Sequence, residues 1–162
     1  MRVWIVNYYT GTPDKVSNPR YIQLAKHFMA AGYDVLTINA NHTWDETNKP
    51  PLLEFKNYGE YKFVHVRARK YVGNGLRRML SIYQFAQDVK HHSKKIGKPD
   101  IVLHNIHPPF DYPIVGMAKK IGAKWRGNGD SLSHPASQAG VLCQGIVEHA
   151  SAEPAHHRKD CR

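Results

Sequence analysis

A chain of 162 residues is long enough for one domain with a real core, and it has no apolar run near the ~20 residues needed to span a bilayer. Its formal net charge of +10 belongs wholly to residues 1–125, which hold 19 of the 23 Lys and Arg and 9 of the 13 Asp and Glu, while residues 126–162 hold four of each. Such a surface favours anionic partners of some kind, whether phosphate, nucleic acid or an anionic membrane, and disfavours cationic ones.

The chain opens with the apolar strand "RVWIVN", which turns polar at once and so lacks a signal-peptide pattern. Both cysteines, Cys143 and Cys161, fall late, and a cytosolic chain is the simplest reading. On that reading the sequon Asn41-His42-Thr43 is a coincidence of composition. From Pro19 the pattern turns helical: Tyr21, Leu24, Ala25, Phe28 and Met29 recur at helical spacing, with Asn18 placed to cap and Gly32 to stop the helix. "DVLTINA", Asp34 to Ala40, is a second strand, so the first 40 residues predict a right-handed strand–helix–strand crossover.

Residues 41–58, with Pro50-Pro51, predict an irregular excursion. "YKFVHVRAR" alternates like a third strand. "YVGNG" then breaks the chain, with Asn74 placed to cap a long helix to about Lys95 whose inner face carries Leu76, Met79, Leu80, Tyr83 and Ala86. "KPDIVLHN" is a further strand, and a helix from Asp111 to Ile121 is stopped by Gly122. Strands alternating with helices predict an α/β fold, a Rossmann-like parallel sheet covered on both faces. After Trp125 the periodicity, the charge balance and the cysteine usage all change together. The division expected is therefore residues 1–125 as the folded domain and residues 126–162 as a weakly structured tail.

The order of four stretches carries a family resemblance. "VWIVNYYTGTPDKVSNPRYIQLAKHFMAAGYDV", "YKFVHVRARKYVGNGLRRML" and "KPDIVLHNIHPPFDYPIVGMAKKIGAK", in that sequence along residues 1–125, resemble the N-terminal half of a GT-B glycosyltransferase of the family-4-like group, closest to bacterial enzymes of surface polysaccharide or lipopolysaccharide synthesis. The resemblance implies a Rossmann-like domain on the acceptor side of a cleft, with the nucleotide-sugar held by a second domain. It also implies that the chain alone is inactive. Family members continue from "AK" into a strand and an acidic, arginine-containing loop resembling "E-x-RDLWP". Here Lys124-Trp125 runs into "RGNGDSLSHP", Asp130 matches nothing in that loop, and a truncated or frameshifted reading would account for the break.

In a doubly wound sheet, ligands bind beyond the carboxyl ends of the strands. The loop "YYTGTPDKVSN" leaves that end of the first strand and offers Tyr9, Thr10, Gly11, Thr12 and Ser17, with Arg20 at the start of the following helix. These residues, with Asn105 from "HNIHPPF", are the expected sugar or phosphate site, and His107 in the same stretch is the candidate acid–base group. A solvated loop capped by Asn18, and a turn histidine before Pro108, account for the same residues without a ligand.

Arg67, Arg69, Lys70, Arg77 and Arg78, with Tyr71, Ile82 and Phe85, suggest a basic membrane-facing patch suited to a lipid-linked acceptor, or else a solvated face. No nucleic-acid module is present. Cys143, His149, His156, His157 and Cys161 fit no standard zinc spacing, so no metal and no cofactor are expected. "GNGD" at Gly127 lacks the continuation of a dinucleotide fingerprint. The expectation is a sugar transferase's acceptor-side domain that moves a sugar from a nucleotide donor to a hydroxyl. The rival is a non-catalytic basic α/β module that docks an anionic ligand, a membrane or a partner chain.

Overall fold

A computed structural model describes residues 1–15, 19–41, 49–106 and 109–127. The elements run β1 (Arg2–Asn7), α1 (Pro19–Ala30), β2 (Asp34–Asn41), β3 (Leu53–Tyr58), β4 (Tyr61–Arg67), α2 (Leu76–His91), α3 (Ser93–Ile96), β5 (Ile101–His104), α4 (Tyr112–Ile121) and β6 (Lys124–Gly127). They form one six-stranded sheet in the order β3-β4-β2-β1-β5-β6. All pairs are parallel except β3 with β4. The α/β fold with a mostly parallel sheet is therefore as the periodicity predicts.

β1 is central because it can be buried on both faces. Val3, Trp4, Ile5 and Val6 are fully enclosed, an apolar run typical of a parallel strand under helices. One face meets α2 and α4: Trp4, Val6, Ile38 and Val64 pack with Phe85, Ala86, Ile114 and Met117. On the opposite side α1 buries Tyr21, Ala25 and Phe28, at the spacing read from sequence. Gly32 and Gly122 end α1 and α4 with φ of 83° and 72°, a region where a side chain would be strained.

Four details differ from the sequence expectation. First, the excursion over residues 41–58 ends in a strand: β3 forms an antiparallel hairpin with β4, with Tyr58 opposite Tyr61 and Gly59 at φ 60° in the turn. It escapes periodicity analysis because Phe55, Lys56 and Asn57 face solvent on an edge strand. Second, the long helix ends at His91, and a separate short turn of helix, α3, follows it.

Third, Asn74 does not cap α2. Gly75 occupies that position, and the Asn74 Oδ1 accepts from Arg78 Nη1 at 2.5 Å. Fourth, the face of α2 that packs shares only Ala86 with the expected one. Ser81, Phe85, Ala86 and Val89 are buried, while Leu76, Leu80, Met79 and Tyr83 are exposed by 77, 59, 44 and 42%. Helical spacing supports either stripe, and the core chooses the one that satisfies a hydroxyl. The Ser81 hydroxyl donates to the Arg69 carbonyl at 2.8 Å and accepts from Tyr8 Oη at 2.8 Å, while Phe85 meets the Tyr8 ring edge-on. Of the apolar residues assigned to a membrane patch, Phe85 is therefore in the core, and Tyr71 and Ile82 pack against it.

Candidate functional site

At the carboxyl edge of the sheet, β1, β2, β3 and β4 surround an open cavity of about 790 Å³. Each element contributes for a local reason. β1 ends at Asn7, whose Oδ1 accepts from the Tyr9 N–H at 3.0 Å and turns the chain outward. The loop then brings Tyr9, Thr10, Gly11 and Thr12 to the wall, and the Lys15 N–H closes a turn onto the Thr12 carbonyl at 3.0 Å. β2 supplies Asn39 and Asn41. β4 supplies His65, and the β3 positions facing it supply Glu54, Lys56 and Tyr58.

A chain of hydrogen bonds runs through this wall. Asn39 and His65 lie side by side in the β2–β4 register. The Asn39 Nδ2 donates to the Thr10 carbonyl at 2.7 Å, which leaves its Oδ1 as an acceptor. His65 Nδ1 lies 2.6 Å from that oxygen and therefore carries the proton. Burial lowers the imidazole pKa, Glu54 pulls it back up and Lys56 lowers it further. In the neutral ring Nε2 is then an acceptor, and the Tyr58 hydroxyl donates to it at 3.0 Å. Tyr58 therefore spends its only proton inward and offers the cavity an acceptor oxygen. In the same wall the Thr10 side-chain oxygen is buried and has no hydrogen-bond partner among the described residues. A buried hydroxyl of that kind costs ~1–3 kcal/mol unless something satisfies it.

An aromatic and basic cluster packs against Tyr9, with Arg78 and Tyr71 outside the cavity lining. Arg78 donates through Nε to Tyr9 Oη at 2.7 Å and lies 5.3 Å from the Tyr9 ring centre. Tyr8 meets Tyr9 edge-on, with ring centres 4.7 Å apart. The Tyr71 phenol is pushed well up, first by burial and then by its hydrogen bond to Tyr9.

The residues anticipated from sequence divide between two places. Tyr9, Thr10, Gly11 and Thr12 line the cavity. Arg20 and Asn105 do not. They gather around Tyr21, whose ring centre lies 5.9 Å from the Arg20 guanidinium carbon and whose hydroxyl is hydrogen-bonded by the Asn105 side chain. Burial raises the Tyr21 pKa, against the pull of those two groups. The β1 and β5 exits do adjoin, since the Asn105 N–H donates to the Val6 carbonyl at 2.9 Å. His107, Ser17 and Asn18 lie outside the described residues, as do Asp130 and the cysteine–histidine set of the tail.

Asn39, Asn41, Glu54, Lys56, Tyr58 and His65 are missing from the sequence-based site. Two of them leave a trace there: Asn39 and His65 are polar residues at inward positions near the carboxyl ends of apolar strands, where a buried polar group calls for a partner. Among the described residues no helix is long and apolar enough to cross a membrane, and no group of three His, Cys, Asp or Glu is placed to hold a metal.

No family model matches the chain, and no curated protein matches it in sequence. Solved structures match in fold. The C-terminal domain of PF1911 hydrogenase from Pyrococcus furiosus is similar at a TM-score of 0.50 and 13% identity, over 78% of this chain and 89% of that one. TcCGT1 in complex with UDP is similar at 0.51 and 9% identity, over 99% of this chain and 35% of that one. The E. coli trehalose-6-phosphate protein bound with UDP-2-fluoro glucose is similar at 0.48 and 12%, over 78% and 32%. The chain thus spans about a third of the length of the last two. GT-B glycosyltransferases are among these neighbours at low identity. A hydrogenase domain shares the fold as well, so the fold alone does not choose the chemistry.

Proposed function

We propose that residues 1–125 are the acceptor-side domain of a sugar transferase of the family-4-like GT-B kind. In this reading a sugar passes from a nucleotide donor, held by a second domain, to a hydroxyl of an acceptor in surface polysaccharide or lipopolysaccharide synthesis. β6 carries the sheet of that domain two residues further, to Gly127. The observation that carries the reading is the cavity at the carboxyl edge. It combines tyrosine rings with neutral and charged donors and acceptors, the surface that suits a saccharide's apolar faces and many hydroxyls. Tyr58 is set to accept from a ligand hydroxyl and Thr10 to donate to one. Arg20 and Asn105 belong to the neighbouring β1–β5 side of the same edge, where a second part of the acceptor or the reacting group would lie.

Saturation-transfer NMR on the 162-residue chain with a panel of methyl hexosides tests this. Transfer to the sugar is expected, and Thr10→Val or Tyr58→Phe should weaken it. If no hexoside receives saturation, or both variants behave as the parent chain does, the sugar reading is wrong.

The basic-module reading keeps one specific observation in its favour. The exposed stripe of Leu76, Met79, Leu80 and Tyr83 continues into Val72 and is flanked by Arg69, Lys70, Arg77 and Arg78. Residues 68–87 contain no acidic residue. An apolar stripe edged by cations fits the interface of an anionic bilayer. Peripheral contact with the inner face of a membrane is compatible with either reading, since a lipid-linked acceptor would be met there.

A further inference from the structure

A second, smaller cavity of about 180 Å³ opens at the carboxyl end of β4. Its wall is cationic: Lys49, Arg67 and Arg69 line it with Leu52, Ala68 and Gln84, and among the described residues no carboxylate does. The backbone fixes its place. The Arg67 N–H donates to the Leu52 carbonyl and the Ala68 N–H to the Asn41 carbonyl, both at 2.9 Å, so the end of β4 is held from both sides. The Arg67 guanidinium is held as well, since Nη1 donates to the Pro50 carbonyl at 2.9 Å. Asp88 of α2, itself hydrogen-bonded by Gln84, feels the Arg67 charge.

The volume holds about six waters, ample for a tetrahedral oxyanion of five heavy atoms. Three cationic side chains, two with planar forks of donors, match phosphate oxygens better than they match a carboxylate's two. The two cavities draw on neighbouring positions of the same strands. On β4, His65 lines the first and Arg67 the second. On β3 the first is lined by Glu54, with Leu52 just beyond the strand lining the second. Two residues along a strand is about 7 Å, the span of one sugar ring.

We propose that this cavity is a phosphate subsite that takes either free phosphate or the phosphate monoester of a saccharide seated in the larger cavity. The pairing with a saccharide rests on the sugar reading above, whereas the anion site does not. The test uses the full 162-residue chain, ¹⁵N-labelled and titrated with inorganic phosphate, glucose 6-phosphate, glucose and matched sodium chloride. Phosphate and glucose 6-phosphate should shift the Arg67, Ala68 and Arg69 amides. Arg69→Gln should weaken both about tenfold, the size of one lost charge-assisted bond, and Arg69→Lys should recover part of it. Lys120→Gln, on α4, should change nothing.

Tighter binding of glucose 6-phosphate than of phosphate supports the pairing. Equal binding assigns free phosphate as the source and overturns the pairing while leaving the subsite. If chloride moves the same amides equally, or Arg69→Gln binds phosphate as the parent does, the subsite is overturned whatever the hexosides do.

Discussion

At the scale of residues, the consequence lies in which protons are fixed. His65 is neutral because it is buried and because Asn39 and Tyr58 each require one of its nitrogens in a set state. Its folded pKa is lowered, so the unfolded chain takes up a proton first as pH falls. Stability is complete above about pH 6.5, the ordinary histidine value, and is lost below it until the folded pKa is passed. A urea-midpoint series from pH 8 to 5 should show that decline, and His65→Gln should flatten it. An unchanged slope in the variant would assign the decline to other groups. Thr10 makes the opposite test. Its unpartnered hydroxyl contributes nothing to the empty fold, so Thr10→Val should leave stability within about 0.5 kcal/mol or raise it. A loss above about 1 kcal/mol in chemical denaturation would mean that the hydroxyl is already satisfied within the chain. Residues such as Asn39 and His65 were only half legible in sequence. Their polarity in apolar strands is visible there, but the partner across the ladder appears only once the register is known.

At the scale of elements, periodicity located α1, α4 and four of the six strands, because each carries a single apolar stripe or run that one neighbour can bury. It failed where an element offers two answers or none. α2 has two apolar stripes a partial turn apart, and propensity cannot say which one Tyr8 will meet. β3 has only a short apolar face, Leu53 packing on the core while Phe55 is exposed, and its clearest signal is the Tyr58-Gly59-Glu60-Tyr61 turn. The two stripes of α2 should respond differently. Phe85→Ala should cost about 3–5 kcal/mol, as a buried ring does. Leu80→Glu should change stability by less than about 0.5 kcal/mol, yet reduce sedimentation with vesicles rich in phosphatidylglycerol. Equal sedimentation of parent and variant would remove the membrane from consideration.

At the scale of the molecule, β1 lies where the order of strands reverses, with β2 and β4 to one side and β5 and β6 to the other. The alternation of strands and helices foretold the parallel core, and the rule that ligands sit beyond strand ends foretold the edge. It did not foretell which loops would meet there: the cavity lies toward β3 and β4 and leaves Arg20 and Asn105 on the β5 side. If this is half of a transferase cleft, the 162 residues alone should bind hexosides without turning over nucleotide-sugars. Holding both reactants in line contributes roughly 7–11 kcal/mol in favourable cases, and one wall cannot do it. Clear product from the purified chain with UDP-glucose would contradict this. The central position of β1 also sets the order in which the chain can be assembled. β2, β3 and β4 find their partners within the first 67 residues, while the other side of β1 stays bare until Asp100 arrives to receive the Arg2 N–H and to donate its own N–H to the Arg2 carbonyl. Closing a loop of that length raises contact order and slows the final step. A nascent chain would carry the unpaired edge of its most apolar strand through most of its synthesis, so chaperone demand should peak before β5 emerges and fall once it docks.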